Sequence, residues 1–151
     1  MKFRQFEVAL FGSLLLCSSA AATDLDALVR VLIPAFMAQN FAAVCLAKNS
    51  RFLAELKDGP ATVSAFADRV KQRVTAGLSE NEAEKVRVTA ADTARQVASH
   101  ELERLNRRQV GSDSSFETWC DRSAKPFVLE ALRRHEENPQ EFDKILEDAK
   151  R

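Results

Sequence analysis

Residues 79–106 read SENEAEKVRVTAADTARQVASHELERLN, and they contain neither glycine nor proline. Ser79 and Glu82 have the spacing of a capping box, in which a hydroxyl and a carboxylate each bind an otherwise unpaired backbone N–H group at a helix start. The stretch therefore predicts one long helix that begins after Ser79 and ends near Asn106, roughly 40 Å in length. A chain built around such an element belongs to the all-α class.

Three alanines recur at four-residue spacing along this helix, at Ala90, Ala94 and Ala98. Residues four apart lie on the same helix face, and small side chains let another helix approach closely. The commoner outcome of this pattern is tight packing inside the protein. The alternative is an interaction face that accepts a helix of a partner protein.

The rest of the chain follows the same helical pattern. Only four glycines and four prolines occur in 151 residues, and the β-branched residues do not alternate with polar ones as they do in strands. Pro34 predicts either a kinked first helix or a second helix running to Ala47. The remaining helix-start signals lie at Thr23 or Asp24, Ser50, Pro60, Ser114 with Glu117, and Asn138-Pro139 with Glu141. We predict a single domain over residues 23–151, a compact bundle of five to seven helices.

The first 22 residues have the layout of a secretory signal peptide. Lys2 and Arg4 are followed by an apolar run that ends at Cys17, and Ala20-x-Ala22 supplies a small-residue cleavage site. We expect cleavage after residue 22 and a periplasmic or secreted mature protein. A lipid anchor at Cys17 is disfavoured because the bulky Leu16 precedes it.

The mature chain is close to neutral, since the leader removes two basic residues and one acidic residue and leaves a net charge near −1. Such a balance argues against nucleic acid or an anionic membrane as a partner. Residues 25–47 are the most apolar stretch of the mature chain, but four polar or charged residues interrupt it. We therefore predict a core helix there and no membrane span in the mature chain.

Two cysteines, Cys45 and Cys120, remain after cleavage. In an oxidising compartment an even count of two allows one intramolecular pair, so we predict a Cys45–Cys120 disulfide that joins an early helix to a late one. Trp119 is expected to pack near the bond. Pro126 is expected to kink or restart the helix that follows it.

No motif in the sequence nominates a catalytic residue, a cofactor or a metal site. His100 and His135 lie 35 residues apart without metal-ligand spacing, and both read as surface residues. Carboxylates are numerous but scattered, and no nucleophile or phosphate-binding motif occurs. We therefore predict that the protein is not an enzyme and binds no metal.

Three functions remain open. The first is a non-enzymatic protein-binding role, as an accessory subunit, chaperone, inhibitor or immunity factor with another envelope or extracellular protein as its partner. The second is a carrier of an apolar small molecule, and the third is a hydrolase that uses two carboxylates. An apolar cavity would favour the second function, and a carboxylate-lined cleft would favour the third. The residues proposed to line the carrier's cavity are Phe36, Met37, Phe41 and Phe66.

Overall fold

The computed structural model describes residues 23–47, 51–56, 58–108 and 113–151. These residues form helices and no strands, which confirms the all-α class. The predicted signal peptide, the cap at Ser50 and most of the loop before Ser114 lie outside the described residues. The helices are α1 (Leu25–Ala47), α2 (Phe52–Glu55), α3 (Pro60–Thr75), α4 (Glu80–Arg108), α5 (Asp113–Trp119), α6 (Lys125–Glu136) and α7 (Pro139–Ala149).

Helix α1 is the central element of the bundle. The N–H of Ala27 donates to Oδ1 of Asp24 at 3.0 Å, so Asp24 is the predicted N-terminal cap. One helix continues through Pro34 to Ala47, and the second helix considered for this region does not form. Helix α1 contacts α2, α3, α4, α6 and α7. Its buried residues belong to the hydrophobic core.

Within the described ranges, α1 is also the one helix whose length and apolar composition would suffice to cross a membrane. Its most apolar window has a mean hydropathy of 1.6. Leu28, Leu32 and Ala38 are nonetheless fully buried among the other helices. Burial of this kind is what we predicted for a core helix.

Helix α4 begins at the predicted capping box. Ser79 Oγ and the Ser79 N–H both donate to Oε2 of Glu82, at 2.6 and 3.0 Å, and the N–H of Glu82 donates to Ser79 Oγ at 3.4 Å. The hydrogen bonds from the side chain and the backbone of Ser79 lower the pKa of Glu82. Ala90, Ala94 and Ala98 are buried in the packed bundle, where α4 lies against α1. Internal packing therefore accounts for the alanine repeat, and in this conformation the three residues offer no exposed face to a partner.

The two cysteines join α1 to the C-terminal half of the chain. Cys45 and Cys120 form a disulfide with their Cα atoms 5.8 Å apart, and both residues are fully buried. Trp119 lies beside the bond and meets the ring of Phe41 edge-on, with centroids 5.1 Å apart. The predicted Cys45–Cys120 disulfide and the predicted packing of Trp119 near it are both present.

A π-helical turn, Cys120–Ala124, joins α5 to α6 just before Pro126. In this wider turn the N–H of Lys125 donates to the carbonyl oxygen of Cys120. Pro126 has no N–H group and would crowd the carbonyl of Arg122 in a regular helix. The chain accommodates the proline by widening one turn, so the helix neither stops nor restarts there.

Two other predicted helix starts differ in detail. Ser114 lies inside α5, which begins at Asp113, and its side chain is outside the described part of the chain. Helix α7 begins at Pro139 as predicted, but Asn138 makes no capping hydrogen bond through its side chain.

Candidate functional site

A cleft of about 630 Å³ lies between helices α1, α3, α6 and α7. Helices α1 and α7 supply most of its lining residues and form its walls, and α3 and α6 supply the others. The lining residues are Asp24, Ala27, Arg30, Val31, Pro34, Ala35, Phe66, Val70, Ala131, Arg134, His135, Glu141, Phe142, Ile145, Asp148 and Ala149.

The floor of the cleft is apolar and belongs to the core. Ala35, Phe66 and Val70 are almost completely buried beneath it, whereas Ile145 on the α7 side leaves 48% of its surface exposed. The cleft therefore continues the hydrophobic core outward to a region that solvent can reach. Apolar surface in a concave site is the common feature of small-molecule pockets.

The rim of the cleft carries charges of both signs. Arg30 lies 3.7 Å from the carboxylate of Asp24, and Arg134 Nε donates to Glu130 at 2.7 Å. Hydrogen bonds from Arg133 and Arg134 lower the pKa of Glu130 to about 2. Glu141 and Asp148 line the α7 side, and both residues are exposed. Exposed pairs of this kind contribute little to stability, but they surround the apolar floor with polar groups.

Pro34 leaves one backbone carbonyl of α1 without its usual helical donor. A proline in a helix has no N–H group for the carbonyl four residues before it, which here is the carbonyl of Arg30. Both residues line the cleft. The α1 wall therefore has a backbone acceptor that the regular helical pattern does not use.

His135 is half-buried at the junction of α3, α6 and α7, and our expectation of a surface histidine is wrong. Its ring meets Phe142 edge-on at 5.0 Å and Phe66 at 5.5 Å between centroids. Burial, together with the positive charges of Arg73 and Arg69, lowers the pKa of His135. The sequence does contain a signal for this position, because Val128, Leu132 and His135 recur at the spacing of one helix face.

Arg73 determines the tautomer of this histidine when the ring is neutral. Its Nη1 lies 3.1 Å from Nε2 of His135, and a guanidinium group can only donate hydrogen bonds. Nε2 must therefore accept, which places the ring proton of neutral His135 on Nδ1.

The same arginine holds α7 against the end of α3. Its guanidinium carbon lies 4.5 Å from the ring centre of Phe142, and its Nη2 pairs with Asp143. Lys150 adds hydrogen bonds to the carbonyl oxygens of Ala76 and Arg73, at 2.9 and 3.4 Å. One side wall of the cleft thus depends on a small set of contacts.

The residues predicted from the sequence are distributed over different parts of the bundle. Of the four residues proposed for an apolar cavity, Phe66 lines the cleft, while Phe41 packs against Trp119 and Phe127. Phe36 and Met37 pack partly buried against the core. His100 is exposed on α4. In the described ranges, no three His, Cys, Asp or Glu side chains are grouped so that they could hold a metal ion.

The sequence signals for the cleft were weak, because its lining comes from four helices that are distant in the chain. Comparison with protein-family models, with characterised proteins and with solved structures finds no match to this chain.

Proposed function

We propose that the protein is an exported, non-enzymatic binding protein that carries a small amphipathic molecule in the cleft between α1 and α7. The cleft is the observation that carries the proposal. Export is supported by the signal-peptide layout of residues 1–22 and by the Cys45–Cys120 disulfide, a bond typical of oxidising compartments.

The size and lining of the cleft fit a small ligand. Pockets for small molecules commonly have volumes of about 300–1,000 Å³ and are mostly apolar, with a few polar groups that fix orientation. The cleft has a volume of about 630 Å³. Val31, Val70 and Phe142 would contact the apolar part of the ligand, and the ligand's polar end would lie at the rim near Arg30.

The rim also limits the ligand's charge. Arg30 and Arg134 each have a carboxylate partner, Asp24 and Glu130, and further carboxylates line the α7 side. A ligand with a large charge of either sign would face like charges there. A neutral or weakly charged polar end that hydrogen-bonds to the rim is therefore favoured.

A protein partner, the first function that the sequence suggested, has less support from the geometry. Val88 and Val97 are exposed on α4, but nine residues place them on opposite sides of that helix. Leu46 and Leu129 are exposed on other helices. Single exposed apolar residues of this kind are ordinary surface features.

The binding function is tested with the neutral fluorescent probe N-phenyl-1-naphthylamine, which becomes bright in apolar sites. We expect saturable binding of one probe per protein. Ala131→Phe places a bulky ring in the cleft and should weaken binding at least about tenfold, or about 1.4 kcal/mol. Ala43→Phe makes the same change at an exposed position of α1 and should bind the probe as the wild type does.

Two results would reject the carrier function. One is the absence of saturable probe binding. The other is equal affinity in wild type, Ala131→Phe and Ala43→Phe, which would place the probe elsewhere. Native mass spectrometry of protein from the natural host should additionally show a co-purified small molecule that Ala131→Phe loses.

Export is tested separately by intact-mass measurement of the protein from its natural host. The mass should correspond to a chain that begins at or near Thr23. A soluble product that retains residues 1–22 would contradict the export assignment without affecting the cleft.

A further inference from the structure

We propose that His135 makes the cleft acid-sensitive: protonation of Nε2 breaks the contact with Arg73, loosens α7 from α3 and α6, and releases the ligand. The release of ligand rests on the proposed function, whereas the loosening of α7 does not. The sequence alone predicts no role for the junction of α3, α6 and α7 around His135.

Helix α7 is a wall of the cleft with few buried residues. Within its 11 residues, all of them described, Leu146 and Ala149 are the buried ones. The helix also contacts α1 and α6. It is joined to α3 by the contacts of Phe142 and Asp143 with Arg73 and, just beyond its end, by the hydrogen bonds of Lys150. Helices held by few buried apolar contacts are the ones that open most easily. Because α7 supplies Phe142 and Ile145 to the cleft, its release would expose the bound ligand to water.

Protonation of His135 acts directly on this cluster. Neutral Nε2 accepts a hydrogen bond from Arg73 at 3.1 Å. A protonated ring has no acceptor left, so two cations would face each other at that distance. The half-buried site between Phe66 and Phe142 would strengthen the repulsion, since little water screens it. The least costly response is displacement of the Arg73 guanidinium group, whose contacts with Phe142 and Asp143 attach α7 to α3.

The charged groups around His135 come from each helix packed against it. Helix α3 contributes Arg69 and Arg73, α6 contributes Glu136, and α7 contributes Asp143. The two carboxylates favour protonation, but Glu136 already pairs with Arg69 at 3.1 Å and Asp143 pairs with Arg73. Farther out, Arg30 and Asp24 of α1 form their own pair at the rim of the cleft. Burial and the two arginines outweigh the two carboxylates in their effect on the ring, so the neutral form is favoured.

The direction of the pH dependence follows from these contacts. The pKa of His135 is lower in the folded protein than the ordinary value of about 6.5 that it recovers when the junction opens. The open state therefore binds the proton more tightly, and the closed state loses stability as the pH falls. The stabilising contribution of neutral His135 is complete above about pH 6.5 and disappears as the pH falls through the lowered pKa of the closed state.

The test compares wild type with His135→Gln and His100→Gln at about pH 7.5 and about pH 5, on either side of the ordinary histidine pKa. Glutamine keeps an oxygen that can accept from Arg73 but does not titrate. His100 is exposed on α4 and controls for histidine loss elsewhere. The first readout is hydrogen exchange of α7 in the ligand-free protein, corrected for the intrinsic pH dependence of exchange. The second is the affinity for N-phenyl-1-naphthylamine.

In wild type and His100→Gln we expect α7 to lose protection at the lower pH while α4 keeps it. Probe affinity should fall at the lower pH in the same two proteins, because the open state becomes more populated. His135→Gln should keep both protection and affinity. Unchanged α7 protection in wild type would overturn the switch, as would an equal acid response in His135→Gln. Absence of probe binding at both pH values would reject the carrier function instead, and α7 exchange would still decide the switch.

Discussion

Replacing Cys45 and Cys120 by alanine should destabilise the protein through the unfolded chain. The bond closes a loop of 75 residues. In the chain-entropy model such a closure stabilises the folded state by about 4.5 kcal/mol at room temperature. For a domain of this size, each kcal/mol corresponds to about 3–4 °C, so the melting temperature should fall by about 15 °C. Because both cysteines are fully buried, loss of the two sulfur atoms should add a small packing defect.

Thermal unfolding followed by far-UV circular dichroism measures this change. The matched control is wild-type protein that has been reduced under denaturing conditions and refolded in reductant, since it lacks the bond but keeps both sulfur atoms. Reduced wild type should lose most of the stability that the double variant loses. Helical content below the transition should be unchanged, because the capping box at Ser79 and the apolar faces specify the helices without the bond. If the double variant melts within about 3 °C of wild type, less than about 1 kcal/mol is lost and the constraint on the unfolded chain is not a major source of stability.

Three further changes test the packing around this framework. Ala94→Leu should cost about 1–3 kcal/mol by overpacking the α1–α4 contact, whereas Gln96→Leu on the exposed side of α4 should be nearly neutral in urea unfolding. Ser79→Ala should cost about 0.5–2 kcal/mol by removing the cap of α4, and unchanged stability in the same assay would show that the cap is dispensable. Arg73→Ala should increase hydrogen exchange in α7 at neutral pH, because it removes the contacts with Phe142 and His135; protection equal to wild type would show that the apolar contacts of α7 are sufficient.

Features that depend on neighbouring residues could be predicted from the sequence. The capping box at Ser79 requires only a hydroxyl and a carboxylate three residues apart, and the structure contains both hydrogen bonds. The disulfide followed from the two cysteines that remain after removal of the predicted signal peptide. The alanine repeat indicated a close helix contact, and the burial of Ala94 places that contact inside the bundle.

The two prolines show where local rules were insufficient. Pro34 could end or kink a helix, but α1 remains one helix because its buried residues are held by four other long helices of the bundle. Pro126 is accommodated by the π-helical turn at Cys120–Ala124. In both places the tertiary contacts on either side of the proline outweigh its local cost of about 3 kcal/mol. Whether a helix continues unchanged past a proline or widens by one turn depends on those contacts and not on the adjacent sequence.

The cleft could not be predicted from the sequence, because it also depends on tertiary contacts. Ala27, Ala35, Ala131 and Ala149 all line it, and they are the same small residue type that lets α4 approach α1 closely. Beside the cleft, the ring of His135 contacts those of Phe66 and Phe142, and Arg73 lies over the ring of Phe142. Small side chains therefore occur both in a close helix contact and along an open cleft, and the two places differ in the larger residues beside them.

The Ala131→Phe variant distinguishes a cleft that binds a ligand from a packing defect. If the cleft were a defect, Ala131→Phe would fill it and would stabilise the protein without any loss. If the cleft holds a ligand, the same substitution should leave the ligand-free protein as stable as wild type, or more stable, while probe affinity falls. His135 gives the junction a pH dependence, since a junction made of phenylalanine rings alone would hold the helices together at every pH. A titratable ring between Phe66 and Phe142, hydrogen-bonded to Arg73 through Nε2, holds the junction together only while it is neutral.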